Sequence, residues 1–285
     1  MKRNHSLTGQ EPACRGGLYL ALSLLVLTPN AVAADEDNAI STINHAFATE
    51  LGTGVYDMGG RSIFVIRVTP DHSLREATEQ KPGVRLVVPI AAGSFDFNPF
   101  DSLEAEVPDR VDSFSLMPGV ELDFPRGDDW LLTPWARIGG SFSEGRSDGF
   151  IYGAGVRLGW SGARGGVELT RLHELSLVSI DYHGNVADDS FVRLRNALDL
   201  RRPLFPVSRS RRLLAGLYTI VDIVPDPPEL PLAVGGQSMV QLELGLTLNT
   251  EPRPRIGRWR WPRLGFGYRV AGGFSGWRIV IGAPF

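Results

Sequence analysis

From Phe150 to Trp160 the chain alternates without a slip. Phe150, Tyr152, Ala154, Val156, Leu158 and Trp160 fall on one side of an extended backbone, and Ile151, Gly153, Gly155, Arg157 and Gly159 fall on the other. A period of two is the signature of a strand with two unlike faces. Here the apolar face persists over six alternate positions and carries aromatic residues at both ends. That is longer than an average strand of a water-soluble sheet requires. It matches the ~9–11 residues a tilted strand needs to cross a bilayer, with aromatic side chains at the two interfaces.

The same period recurs along the chain. Phe64, Ile66 and Val68 alternate with Val65 and Arg67, and Val84, Leu86, Val88 and Ile90 with Arg85, Val87 and Pro89. Phe114 to Asp123, Trp130 to Gly139, Val240 to Asn249 and Leu264 to Val270 repeat it. The pattern predicts strands at 46–56, 61–69, 83–93, 111–123, 129–140, 149–160, 163–173, 190–201, 211–222, 236–249, 260–270 and 275–285. Phe191 to Arg201 also reads as a helix. Twelve is an even number, as single-chain bacterial barrels require, and every second connection is expected to be short. Pro70 to Pro82 is longer than that rule expects, and Glu174 to Asp189 reads as a long outer loop. The fold class read from this is all-β, an antiparallel transmembrane barrel of about 12 strands. The competing architecture, a secreted sandwich with one wet face, explains less well why the second faces carry Gly and Arg.

The first residues belong to a different regime. Lys2 and Arg3 open a basic stretch, Leu18 to Leu27 is an unbroken apolar run, and Ala31-Val32-Ala33 forms a small-x-small site. Residues 1–33 therefore read as a secretory signal peptide, the apolar run being too short for a spanning helix. Three basic residues and one acidic residue leave with it, taking the formal net charge from −3 to −5. That balance gives no reason to expect nucleic acid. Cys14, the single cysteine, leaves too, which removes disulfides and thiolate metal sites from the mature chain. An exported chain with no second long apolar helix is still able to live in a membrane if its strands close.

The last strand ends Trp277, Ile279, Ile281, Ala283, Phe285 on one face. This resembles the C-terminal signature of bacterial outer-membrane barrels, which implies recognition by the barrel-assembly machinery through Trp277, Ile279, Ile281 and Phe285. Pro284 and the small Ala283 depart from the usual pattern. Twelve strands filling the mature chain also resemble the translocator domain of autotransporters. With no room for a passenger before residue 46, the chain resembles the solitary outer-membrane autotransporter-like β-barrel family. The stretches LGTGVYDMGGRSIFVIRV (51–68), GVRLVVPIAAGSFDF (83–97) and SLMPGVELDF (115–124) carry that likeness, which extends over most of residues 46–285. It implies a location in the outer membrane and a porin-like shape, but no established chemistry. It also implies a short helix inside the lumen for residues 34–45, where Ile40, Ile43 and Phe47 lie at helical spacing. A tail is the equal alternative.

Charge on a lipid face costs about 2–4 kcal/mol per Arg near the midplane. Arg67, Arg85, Arg137, Arg157, Arg193, Arg195, Arg269 and Arg278 are therefore expected to face the lumen. So are Glu121, Asp123, Glu168, Asp199, Asp222 and Glu243. Two functions fit such a set. One is a self-neutralising ladder that fills and stiffens the barrel, in a structural or transport-type role. The other is a narrow channel passing small anionic solutes. The alternation further predicts that Leu244→Arg, toward lipid, harms folding more than Glu243→Arg, toward the lumen.

An outer-membrane hydrolase is the third class. Outer-membrane phospholipases, also 12-stranded barrels, place His and Ser two positions apart on one strand face, but Leu175 follows His173 and Asn185 follows His183. Asp181 and His183 distantly resemble an omptin-type protease without a second carboxylate pair. GFIYGAGVRLG has no following helix and is no phosphate loop. No metal-ligand spacing is present. No enzymatic activity, catalytic residue or cofactor is expected. The expected partners are outer-membrane lipid, the assembly machinery and at most a small solute.

Overall fold

Each alternating segment forms a strand in the computed structural model. It describes residues 50–58, 61–96, 110–143, 148–183, 188–208, 211–225, 240–252, 255–256, 259–260, 262–272 and 274–285. The expected signal peptide (1–33) and N-terminal segment (34–45) lie outside the described residues.

The strands are β1 (Gly54–Met58), β2 (Arg61–Val68, resuming as Asp71–Arg75), β3 (Gly83–Val87 and Ile90–Asp96), β4 (Arg110–Leu116 and Gly119–Arg126), β5 (Trp130–Ser143) and β6 (Gly149–Arg164). They continue as β7 (Val167–Tyr182), β8 (Asp189–Ser208), β9 (Arg211–Ile223), β10 (Val240–Glu251), β11 (Leu264–Ala271) and β12 (Phe274–Ile281). Every strand pairs antiparallel with its chain neighbours. β12 pairs with β1 through Gly54↔Arg278 to Met58↔Phe274, so the sheet closes. A two-stranded ribbon, Arg255–Ile256 with Trp259–Arg260, decorates the β10–β11 connection. Closure leaves each central strand paired on both sides, the condition under which strands can sit in lipid. No described helix is long and apolar enough to cross a membrane.

We call the end where β1 starts and β12 finishes the proximal end. Its turns include residues 127–129 and Gly165-Gly166, where positive φ values of 64° at Gly127, 59° at Gly165 and 76° at Gly166 make tight reversals that glycine accepts without strain. At the distal end β3 finishes at Asp96 and β4 starts at Arg110, and β9 finishes at Ile223 and β10 starts at Val240.

Several strand bounds differ from the sequence reading. β1 starts at Gly54, and Glu50 and Leu51, expected inside that strand, have helical backbone. β2 does not stop at Pro70 but resumes at Asp71, which accounts for most of the long connection expected there. β7 runs to Tyr182, well past residue 173, so Glu174 and Asp181 belong to the wall and not to an outer loop. Residues 191–201 are strand, not helix.

Three strands break at aligned prolines. Val88 N–H donates to the Pro70 carbonyl (2.9 Å), Met117 N–H to Pro89 (2.9 Å) and Ile138 N–H to Pro118 (3.0 Å). A proline cannot donate, and each break falls where its missing donor would interrupt the ladder. The neighbours' donors carry the pairing across.

The two faces separate as the alternation requires. The outer face is apolar: Val240, Leu242, Leu244, Leu246 and Leu248 of β10 are all exposed, as are Phe64, Phe266, Trp277 and Ile279. The inner face holds a distal apolar cluster that includes Leu51, Tyr56, Ile63, Ile151, Ile180, Phe191 and Phe274. A smaller cluster of Ala197, Tyr218, Ile220 and Val280 lies apart from it. Inward glycines make room for aromatic rings from strands one or two places away. A Cβ at Gly245 or Gly267 would run into the Tyr218 phenol ring, and one at Gly155 would come within 2.8 Å of the Trp135 indole.

Candidate functional site

The site is a charged belt inside the barrel, and every strand but β1 supplies its part through the inward half of the alternation. Arg85 (β3) donates to Glu121 (β4) at 2.7 Å. Arg137 (β5) and Arg157 (β6) donate to the other Glu121 oxygen at 3.0 and 2.8 Å. Arg157 also reaches Glu174 (β7) at 2.6 Å, and Arg193 (β8) meets the second Glu174 oxygen at 3.0 Å. Arg195 (β8) grips Asp222 (β9) with two bonds of 2.7 and 2.8 Å, the bidentate fork that guanidinium and carboxylate favour.

Asp222 lies 3.6 Å from Arg269 (β11), which meets Glu243 (β10) at 2.7 Å. Glu243 closes the sequence by accepting from Arg278 (β12) at 3.0 Å and from the Tyr218 hydroxyl at 2.8 Å. Glu50 spans the interior. It accepts from Arg193 of β8 at 2.8 Å and lies 3.8 Å from Arg67 of β2, and those strands are on opposite sides of a twelve-strand ring.

The remaining expected residues sit nearer the proximal end. Asp123 accepts from the Thr133 hydroxyl at 2.7 Å and lies 3.6 Å from Arg85. Asp199 takes two bonds of 2.6 Å from Arg263, and Glu168 pairs with Arg201 at 2.8 Å. Each of the eight arginines and six carboxylates named from the sequence has an oppositely charged partner within 4 Å. Trp135 lies under this belt, 4.5 Å from the Arg137 guanidinium carbon and 5.6 Å from that of Arg157. An arginine over an indole face gains cation–π attraction as well as its ion pair.

Sequence reasoning missed five members. Glu174 was placed in a loop because β7 was ended nine residues early. Glu50 was placed in β1, where alternation gave no reason to call it a bridge. Arg263 falls inside the expected strand 260–270 at the parity of Arg269, and Arg201 closes a segment that also reads as a helix, so parity was the signal available for both; Tyr218 is uncharged and gives none.

The C-terminal residues divide. Trp277, Ile279 and Ile281 are exposed on the outer face. Phe285, expected beside them, is not. Gly282 adopts a φ of 99°, which ends the alternation, and its N–H donates to the Arg263 carbonyl at 2.7 Å. Arg278 donates to the Pro284 carbonyl at 2.8 Å. The tail is thereby turned inward, and Phe285 packs against the cluster of Ala197, Tyr218, Ile220 and Val280.

The candidate catalytic residues are engaged otherwise. His173 is on the outer face with Nδ1 2.7 Å from Asn196 Oδ1, and the neighbours on that face are Arg171 and Leu175, neither an oxygen nucleophile. His183 Nδ1 lies 3.1 Å from the Asp148 carbonyl, and Asp181 accepts from the Tyr152 hydroxyl at 3.4 Å. No group of three His, Cys, Asp or Glu among the described residues has metal-site geometry.

No protein-family model matches the chain, and no curated protein matches it by sequence. Among solved structures it is similar to the translocator domain of the autotransporter NalP from Neisseria meningitidis, with a TM-score of 0.52 and 14% identity over 81% of this chain and 85% of that one. The fold is that of an autotransporter translocator barrel. The β-domain of the Bordetella autotransporter BrkA gives a TM-score of 0.48 at 11% identity, covering 81% of this chain and 92% of its own. LpxR from Salmonella typhimurium gives 0.44 at 11% identity, covering 80% and 90%.

Proposed function

We propose that this chain is an integral outer-membrane β-barrel, exported by the signal peptide of residues 1–33, whose interior is held shut by its own charges. The observation that carries the reading is the pairing of two faces in one closed sheet. The outer face is an apolar belt that only lipid would stabilise, and the inner face is a charged belt with every named arginine bound to a carboxylate. A channel for small anions needs arginines free to replace an anion's water. Here carboxylates already occupy them, which favours a structural or transport-type role. Glu50 fits the same reading, since it joins two opposite walls through Arg193 and Arg67.

The mature protein is expected in outer-membrane fractions, and unheated it should migrate faster on a detergent gel than after boiling. A closed barrel resists detergent because no edge is left to unzip. Recovery as a soluble periplasmic protein would overturn the proposal.

Assembly through the C-terminal strand is part of the proposal. The outward row Trp277, Ile279 and Ile281 supports it, together with a terminal Phe285. Because Phe285 is one partly buried ring on a small cluster, its deletion should lower the amount of barrel inserted in cells. Barrel already inserted should keep its heat-shift temperature. An equal loss of both would make Phe285 a stability residue only.

A further inference from the structure

The outer wall is apolar over most of its area, but it gathers cations on one flank. On β6, β7 and β8, near the proximal end, Arg164, Arg171 and Arg202 are exposed on outward positions of the alternation. Arg171 stands opposite Trp160 of β6 in the ladder, and its guanidinium carbon lies 5.7 Å from the Trp160 ring. Arg164 and Arg202 lie four residues further toward the proximal end on the two flanking strands, about 13 Å along them. Trp160 bends over Gly162, between itself and Arg164, so that a Cβ at Gly162 would come within 2.7 Å of the indole.

The result is a triangle of three guanidiniums around a flat aromatic floor. Among the described residues no carboxylate pairs with Arg164, Arg171 or Arg202, in contrast to every arginine of the interior. Glu168, on the same stretch of β7, points inward to Arg201, and Asp128 and Asp129 belong to the β4–β5 turn. One step further into the belt sits the polar pair His173 and Asn196.

We propose that this patch is a binding site for the headgroup of an anionic phospholipid, resting on the membrane-embedded reading above. Three cations gathered on a mostly apolar wall require an anion that arrives with its own apolar chains. A phosphodiester supplies oxygens for forked contacts with guanidinium. Trp160 seats at the headgroup boundary, where indoles concentrate. His173 and Asn196 lie at the depth of the glycerol esters and offer those oxygens hydrogen bonds. The acyl chains run along Leu175, Leu177 and Val192, which are exposed on the same wall.

The test is native mass spectrometry of the full mature barrel in a zwitterionic detergent, titrated with phosphatidylglycerol or phosphatidylcholine. The unaltered protein should hold phosphatidylglycerol about a hundredfold more tightly, since three arginines at an anionic lipid surface contribute about 1 kcal/mol each. Arg164→Gln/Arg171→Gln/Arg202→Gln should lose that preference. A control of equal charge loss elsewhere, Arg75→Gln/Lys81→Gln/Arg212→Gln, should keep it. If the patch triple does not fold, Arg171→Gln alone should still show a clear loss relative to Arg75→Gln. Equal behaviour of patch and control variants would overturn the site, as would displacement of the lipid by millimolar inorganic phosphate. The heat shift on a gel, read on the same samples, tests the membrane barrel itself, so failure of that reading is distinguishable from failure of the site.

Discussion

Glu243→Arg should destabilise the barrel more than Leu244→Arg, the reverse of what alternation alone predicts. Leu244 faces outward at mid-strand, and an arginine there costs about 2–4 kcal/mol at the bilayer midplane. Glu243 is 1% exposed and is the acceptor for Arg269, Arg278 and Tyr218 at once. Removing one partner of a buried ion pair costs about 3–5 kcal/mol, because the charge left behind has lost its solvent and its partner. Glu243→Arg does that twice and adds a third cation between the two. Glu243→Gln, which keeps an acceptor for Tyr218, should fall between the native residue and arginine. Denaturant titrations of folding into lipid vesicles give the order directly. If Glu243→Arg were the milder change, the interior at β10 would be wet and unpaired.

Glu50→Ala should open the barrel. Among the described residues Glu50 is the single carboxylate paired with Arg67, and it is one of two paired with Arg193. Without it, two cations on opposite walls face the space the bridge had spanned. In planar bilayers the native protein should show small or rare openings. The variant should show frequent ones that favour anions over cations. Glu168→Ala, which breaks the half-exposed pair with Arg201 at the proximal rim, should leave conductance unchanged. Deleting residues 34–45 should act in the same direction as Glu50→Ala. Large, steady conductance from the native protein, unaltered by either change, would restore the anion-channel reading.

What was legible in the sequence follows from what a two-residue period can encode. Which side a residue faces depends on parity alone, so Arg157 and Val156 were separable by inspection. All twelve strands were found for the same reason. Where a strand ends depends instead on turn geometry and on partners distant in sequence. β7 was cut short at His173 because Glu174 looks like a loop residue until Arg157 and Arg193 are beside it. β12 was carried on to Phe285 because parity has no term for a positive φ at Gly282. The interior pairs were half legible: the sequence showed that eight arginines and six carboxylates share one face, but not which meets which. Glu50, outside any strand, was invisible to the period altogether.

The aligned breaks at Pro70, Pro89 and Pro118 give the wall two flanks of unlike stiffness. From β6 to β8 the strands run 16, 16 and 20 residues as single elements, with register shifts only at Pro203 and Pro206 near the proximal end of β8. From β2 to β4 each strand is a pair of short segments, 5 to 8 residues long, joined at a proline. A ladder missing one donor per strand along one oblique line bends there first. Under lateral pressure such a tube does not shrink evenly. It flattens along the crease, with the long-stranded flank as a spine, and amide exchange across the crease should be the fastest anywhere within the wall.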